Sequence, residues 1–291
     1  ETVSPDGLTF GLNWGLEEGE QGMATATRSR RSNGNEVLSG VMAMGSSSHP
    51  FTLNRDFSLP EFTLIHTSTS TYDGPFLRCA FGAAYPEVVH IYGADKSSID
   101  AINTKIVQYA QDTTSTRSLQ EIQNDFVRDC QAEIANELDN MPDDIDRQET
   151  ISYAQSLRPE IALANQKAIS LLFLSYAYTG GAHGNYGYGA LNFEVASGTE
   201  LGLSQIVRPD ALRTLLQRMA KQFLIQSKED LFEKSREELE RLVSDTSPLT
   251  TAEQIAKFDR VYNWHLTPQG ITFFFNPYEM TPYAAGVQQI V

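Results

Sequence analysis

Tyr176-Ala-Tyr178-Thr-Gly180-Gly181-Ala-His183-Gly184-Asn-Tyr186-Gly-Tyr188-Gly189 is the stretch from which the fold is read. An apolar run, Ala168 to Tyr176, leads into it, and the alternating Leu191-Asn-Phe193-Glu-Val195 follows. Two strand-like runs joined by glycine pairs form a β-hairpin, because glycine enters positive φ without a Cβ penalty. Five glycines between Gly180 and Gly189 exceed what one turn needs. The surplus points to backbone shaped for close approach, with one histidine and several tyrosines around it.

Outward from the hairpin, the chain reads as α+β. Upstream, residues 62–70 and 76–86 are two strands around the turn Tyr72-Asp-Gly-Pro75. Ile99, Ile102, Ile106 and Tyr109 share one helical face, opened by Ser97 and Ser98. Leu119, Ile122, Phe126, Cys130, Ile134 and Leu138 share a second, with Pro142 and Asp143-Asp-Ile-Asp146 ending that helix. Three strands are then expected, near 151–157, 160–164 and 168–178. Downstream, Pro209 and Asp210 open a helix whose core stripe is Leu212, Leu215, Leu216, Met219 and Phe223. Residues 228–243 read as a solvated surface helix. Phe273-Phe274-Phe275 requires a strand with no face in water, covered on one side by helices.

This pattern predicts mixed or antiparallel sheets with helices packed on one side, in two intimately associated subdomains. The expected division is an extension of short strands and loops over 1–60, an α+β module over 61–165, and a second over 166–291 that carries the hairpin. Arg28, Arg30 and Arg31 within the extension read as a solvated loop.

The formal net charge of −15 sets a surface that repels phosphate backbones, so nucleic acid is excluded as a partner class and a cationic protein is favoured. No apolar run approaches the length of a membrane-spanning helix. The chain begins at Glu1 without a Met or a basic-then-apolar segment, which fits a mature chain and equally a cytosolic fragment. Cys79 and Cys130 permit one disulfide in an oxidising compartment, and two buried free thiols are at least as good a reading.

Catalytic signatures are sparse. His183 has no partner at ligand spacing, so no metal is expected, and a turn histidine bonded to neighbouring backbone is the favoured role. Nucleophile-elbow, phosphate-loop and dinucleotide motifs are missing, and no cofactor is expected. Glu194 and Glu279 could pair as acid and base for glycoside cleavage, but with 37 acidic residues such a pair is mostly chance. The alternatives are an enzyme acting on cell-wall glycan, with His183 and a nearby carboxylate, or a structural protein of the envelope. The enzyme reading requires a cleft holding His183 and an acid within hydrogen-bond reach. Tyrosines are the stronger signal: Tyr176, Tyr178, Tyr186, Tyr188, Tyr278 and Tyr283 fall in two glycine- and proline-bearing segments, and aromatics with a polar handle commonly anchor recognition surfaces.

These same segments carry a resemblance. Tyr178-Thr-Gly-Gly-Ala-His183-Gly-Asn185, then Leu191-Asn-Phe193 and Ser197-Gly-Thr-Glu200, resemble a bacterial extracytoplasmic domain family of unknown function. The closing loop Phe274-Phe-Asn-Pro277-Tyr278-Glu-Met-Thr-Pro282-Tyr283-Ala-Ala-Gly286 fits the same pattern. Phe81-Gly-Ala-Ala-Tyr85-Pro86 and Ile102-Asn103 resemble its companion N-terminal module, so the similarity spans roughly residues 60–291. The family includes the lysozyme-binding sensor domain of the anti-sigma factor RsiV and accessory modules of a peptidoglycan deacetylase. The resemblance therefore implies a non-catalytic, envelope-facing module that is periplasmic, secreted or held by a lipoprotein anchor. Its implied ligand is a cationic protein such as lysozyme, or cell-wall glycan. The recognition surface expected for it comprises Tyr178, Gly181, His183, Tyr186 and Tyr188 from the hairpin with Pro277, Tyr278, Pro282 and Tyr283 from the loop.

Overall fold

A computed structural model describes residues 2–4, 7–12, 22–30, 36–44, 47–54, 59–73, 76–111, 117–140, 152–227, 229–245 and 263–291. Its contacts divide the chain into two compact units, Glu1–Leu59 and Pro60–Val291. The first contains β1 (Thr2–Ser4), β2 (Gly7–Leu12), β3 (Gly22–Arg30), β4 (Glu36–Met44) and β5 (Ser47–Asn54), each antiparallel to the next in chain order. Within this extension Arg28 and Arg30 lie on β3, not in a loop, and Arg31 lies outside the described residues.

The second unit is α+β, as the residue pattern requires. Its larger sheet has five strands in the order β10-β9-β8-β7-β6. These are β6 (Glu61–Asp73), β7 (Phe76–His90), β8 (Tyr153–Ala164), β9 (Ala168–Tyr178) and β10 (Asn185–Glu194). All neighbours are antiparallel except β7 and β8, whose parallel ladder covers only Cys79–Ala83 and Tyr153–Leu157. The strands expected near 151–157 and 160–164 are the single β8, Tyr153–Ala164. Pro159 does not break it, because Pro159 lies beyond the parallel ladder, where β8 has one neighbour. Pro86 sits in β7 for the same reason.

Two helices cover one face of this sheet. The first, α1 (Lys96–Ala110), buries Ile102 and Ile106 against Ile169, Leu171, Phe173, Leu191 and Phe193. Its cap is Asp95 and not the serines: the Asp95 carboxylate accepts from the Ser98 amide at 2.8 Å and from both serine hydroxyls. Those donated bonds hold the Asp95 carboxyl below its ordinary range. The second helix, α2 (Leu119–Asn140), packs Leu119, Ile122 and Phe126 on Phe81 and Ala83. Pro142 and the acidic run after it lie outside the described residues. A Cys79–Cys130 disulfide joins β7 to α2, so the thiols are paired and the free-thiol reading is set aside. The apolar face of a helix and the strand it packs on bring the two Cα atoms to 6.3 Å, within bridging range.

A short turn of helix, α3 (Leu203–Ile206), leads to α4 (Pro209–Gln226) and α5 (Glu233–Ser244). The predicted surface helix thus begins after Leu231, which is itself buried. These helices pack on a three-stranded antiparallel sheet: β11 (Asn263–Thr267), β12 (Gly270–Phe275) and β13 (Gln288–Ile290), with β12 central. Period-two alternation explains the three phenylalanines. Phe273 and Phe275 face α4 and α5, Phe275 stacking on Phe223 with centroids 4.6 Å apart. Phe274 points the other way, toward Tyr188 and the larger sheet. Each sheet therefore carries its helices on one face, and the sheets meet through their remaining faces.

That inter-sheet layer holds a buried polar network. The Ser170 hydroxyl donates to Asn192 Oδ1 at 2.7 Å and accepts from the Leu266 amide at 3.0 Å. Asn192 Nδ2 donates to the Trp264 carbonyl at 3.2 Å. Two polar residues facing each other across β9 and β10 thereby fix the position of β11.

Candidate functional site

The turn between β9 and β10 is made by Gly180 and Gly181, at φ of +89° and +90°. An L side chain is strained there, which explains why the turn is spelled with a glycine pair. The Tyr178 hydroxyl closes it by donating to the Gly181 carbonyl at 2.8 Å. At the base of the turn the Gly184 carbonyl accepts twice, from His183 Nδ1 at 3.0 Å and from the Tyr283 hydroxyl at 2.7 Å.

Those two bonds bring the closing loop onto the hairpin. The rings of His183 and Tyr283 are stacked, with centroids 4.0 Å apart and planes 18° apart. Tyr186 meets Tyr283 edge-on at 5.6 Å, and Tyr278 lies 5.8 Å from it on the other side. Nearby phenol rings and burial raise the Tyr283 pKa, burial being the larger cause. Tyr278 is 56% exposed and is the one non-glycine residue at positive φ among those described, at +70°. Its amide donates to the Thr281 carbonyl at 2.9 Å, which holds this strained backbone.

Of the residues expected at the surface, His183, Tyr186, Tyr278 and Tyr283 form one aromatic cluster, and Tyr178 and Gly181 shape the turn beside it. Pro282 is exposed and leads into the 3-10 turn Tyr283–Ala285, and Pro277 opens the loop. Tyr188 lies apart from the cluster: its ring is edge-on to Phe274 at 6.4 Å, in the inter-sheet layer.

Asn276 was not singled out by sequence, yet it clamps loop to hairpin. Its side chain accepts from the Tyr188 amide at 2.7 Å and donates to the Tyr188 carbonyl at 3.0 Å, as a neighbouring strand would. The free edge of β10 is thereby capped at that position. Glu279 braces the clamp, accepting from the Asn276 amide at 2.8 Å and from Asn263 at 3.1 Å. An asparagine between a strand end and a proline was the available signal.

Glu194 and Glu279 are the carboxylates considered as an acid–base pair for glycoside cleavage. Glu279 is turned to Asn263 and Asn276, and Glu194 accepts from Ser197 at 2.6 Å. No hydrogen bond joins His183 to a carboxylate among the described residues. Among those residues, too, no group of three His, Cys, Asp or Glu side chains is placed to hold a metal ion.

On the helix-bearing face of the same strands lies an open groove of about 1080 Å³. Its wall is the last turn of α1, and its floor is formed by β8, β9 and β10. His183 is not among its lining residues.

Comparison with known proteins finds similarity in two segments of this unit. Residues 81–186 match the family model described as deacetylase PdaC, and residues 204–291 match that of a protein of unknown function, DUF3298. A solved DUF3298 family member from Bacteroides fragilis is similar at a TM-score of 0.56 and 20% identity, over 81% of this chain and 91% of that one. A DUF3298 family protein from Pseudomonas aeruginosa gives 0.45 at 16% identity, over 79% and 88%. No curated protein matches. The two segments are thus similar to two described families, and the Bacteroides likeness is one of fold. The Gly180–His183 turn falls within the PdaC segment and the Pro277–Gly286 loop within the DUF3298 segment.

Proposed function

We propose that this chain is a non-catalytic binding module of the cell envelope, and that the hairpin–loop aromatic cluster is its recognition surface. The observation that carries this reading is the His183–Tyr283 stack, flanked by Tyr186 and the exposed, strained Tyr278. It joins residues from two family segments into one surface of amphipathic rings, the residue type that anchors interfaces at low entropic cost. Strain held at an exposed aromatic is spent where contact geometry matters. Extracytoplasmic placement is supported by the Cys79–Cys130 disulfide, since such bonds persist in oxidising compartments.

The partner is a cationic protein such as lysozyme, or cell-wall glycan. A net charge of −15 steers cations toward the chain and raises association rate more than affinity. Calorimetric titration with lysozyme at two salt concentrations, beside co-sedimentation with insoluble peptidoglycan, tests the reading. Binding to one of the two is expected, weakened about tenfold or more by Tyr278→Ala and Tyr283→Ala. Heat at neither salt with no co-sedimentation overturns the proposal.

A further inference from the structure

The groove beside α1 lies on the opposite face of the sheet from the inter-sheet layer, and of the residues named for the hairpin–loop surface Tyr186 alone also lines it. Its floor is ordered by the strand registers. Gln155, Ala177 and Asn185 stand in one row across β8, β9 and β10, and Leu157, Ser175 and Gly187 in the next. The row beyond that is covered, because Tyr109 packs on Phe173 at 4.7 Å and α1 ends one residue later, at Ala110. Small residues at Ala177, Ser175 and Gly187 keep the uncovered floor low. Two primary amides, Gln155 and Asn185, flank the methyl of Ala177 from strands about 10 Å apart.

The lining defines what fits. Gln108, Gln155, Asn185 and Ser175 offer both donors and acceptors without charge. Among the described residues the ionic side chains of the lining are Lys105 and Glu200, which lie 4.0 Å apart and offset each other. The groove therefore has no net sign for an ionic ligand, in contrast to the acidic chain. A peptide in extended form gains affinity mainly by strand addition. Across β8 and β9 the floor offers none of that, since these strands are internal and their backbone groups are committed to ladders on both sides over these rows, while β10 at its margin is an edge strand. A ligand there must be satisfied by side-chain amides and hydroxyls, over a volume at the upper end of small-ligand sites.

We infer that this groove binds a neutral oligosaccharide rich in hydroxyl and acetamido groups, two sugar rings bridging Gln155 and Asn185. The inference rests on the binding-module reading, and extends it to a second site that names the glycan chemistry. The test is titration of the whole chain with chitotetraose, with cellotetraose and an uncharged Ser/Gln peptide as comparisons. Chitotetraose is expected to bind. Gln155→Ala and Asn185→Ala should each weaken it about tenfold. Ala177→Trp, at an exposed strand position, should abolish it by filling the floor while circular dichroism stays native. Tyr283→Ala should leave it unchanged, although it weakens the hairpin–loop surface.

No binding of chitotetraose at millimolar concentration overturns the inference, as does equal binding of the peptide. Binding that survives both Ala177→Trp and Gln155→Ala but is lost with Tyr283→Ala places the sugar on the hairpin–loop surface, and overturns the groove while sparing the module reading.

Discussion

Single residues carry the junctions of this molecule. The Asn276 side chain imitates a strand for Tyr188, pairing both its amide and its carbonyl. Truncation leaves those half-buried groups unpaired, so Asn276→Ala should cost about 2 kcal/mol in denaturant unfolding. It should also loosen the loop that carries Tyr278 and Tyr283. His265 acts at a different junction. It is 6% exposed in the inter-sheet layer, edge-on to Phe274. Burial lowers its pKa, with the Glu160 carboxylate opposing the shift in part. The unfolded chain therefore binds this proton first, near the ordinary histidine value of about 6.5. Between that value and the lower folded one the unfolded state holds more protons, so stability falls as pH drops. Melting temperature should decline below about pH 6.5, and His265→Leu should flatten that decline when the two are followed side by side from pH 7 to 5.

At the scale of elements, the contact between the two sheets decides whether the hairpin and the closing loop meet. It depends on Ser170 and Asn192, polar side chains on strands that are otherwise apolar at these rows. Ser170 is fully buried, and its hydroxyl serves both Asn192 and the Leu266 amide. Ser170→Ala should cost about 1 kcal/mol by removing the shorter of the Leu266 amide's two bonds and leaving it only Asn192 Oδ1 at 3.3 Å, read as a shift in the urea midpoint. The same pair shows what was legible locally. Alternation in Leu191-Asn-Phe193 marks a strand, but a lone polar residue on it says only that some partner exists. Which partner is a matter of how β11 crosses β9 and β10.

For the whole molecule, the Cys79–Cys130 bridge is the covalent link between sheet and helix layer, closing a sequence separation of 51. Loop closure of that length stabilises by about 4 kcal/mol in the chain-entropy description. The Cys79→Ala/Cys130→Ala double variant should lose stability on that order, and reducing agent should lower the melting temperature of the wild type but not of the variant. Around that link the helices α1 and α2, the larger sheet, the smaller sheet and the helices α4 and α5 follow one another as layers. The aromatic cluster lies where hairpin and closing loop meet, and the groove lies where α1 stops short of covering the sheet.

Local physics fixed much of this in the amino-acid order alone. Glycine at positive φ marks the hairpin turn, helical periodicity gives the buried stripes of α1, α2 and α4, and three successive phenylalanines require a strand enclosed on both faces. These depend on neighbours close along the chain, or on the residue's own need for burial. Tertiary structure alone decided what depends on distant partners. It made one strand of residues 153–164, because Pro159 falls where no second ladder needs its amide. It paired the two cysteines, and it laid Tyr283 on His183 a hundred positions away. It also separated Tyr188 from the ring cluster, since alternation gives each strand residue a face but only the packing of sheets gives that face a neighbour.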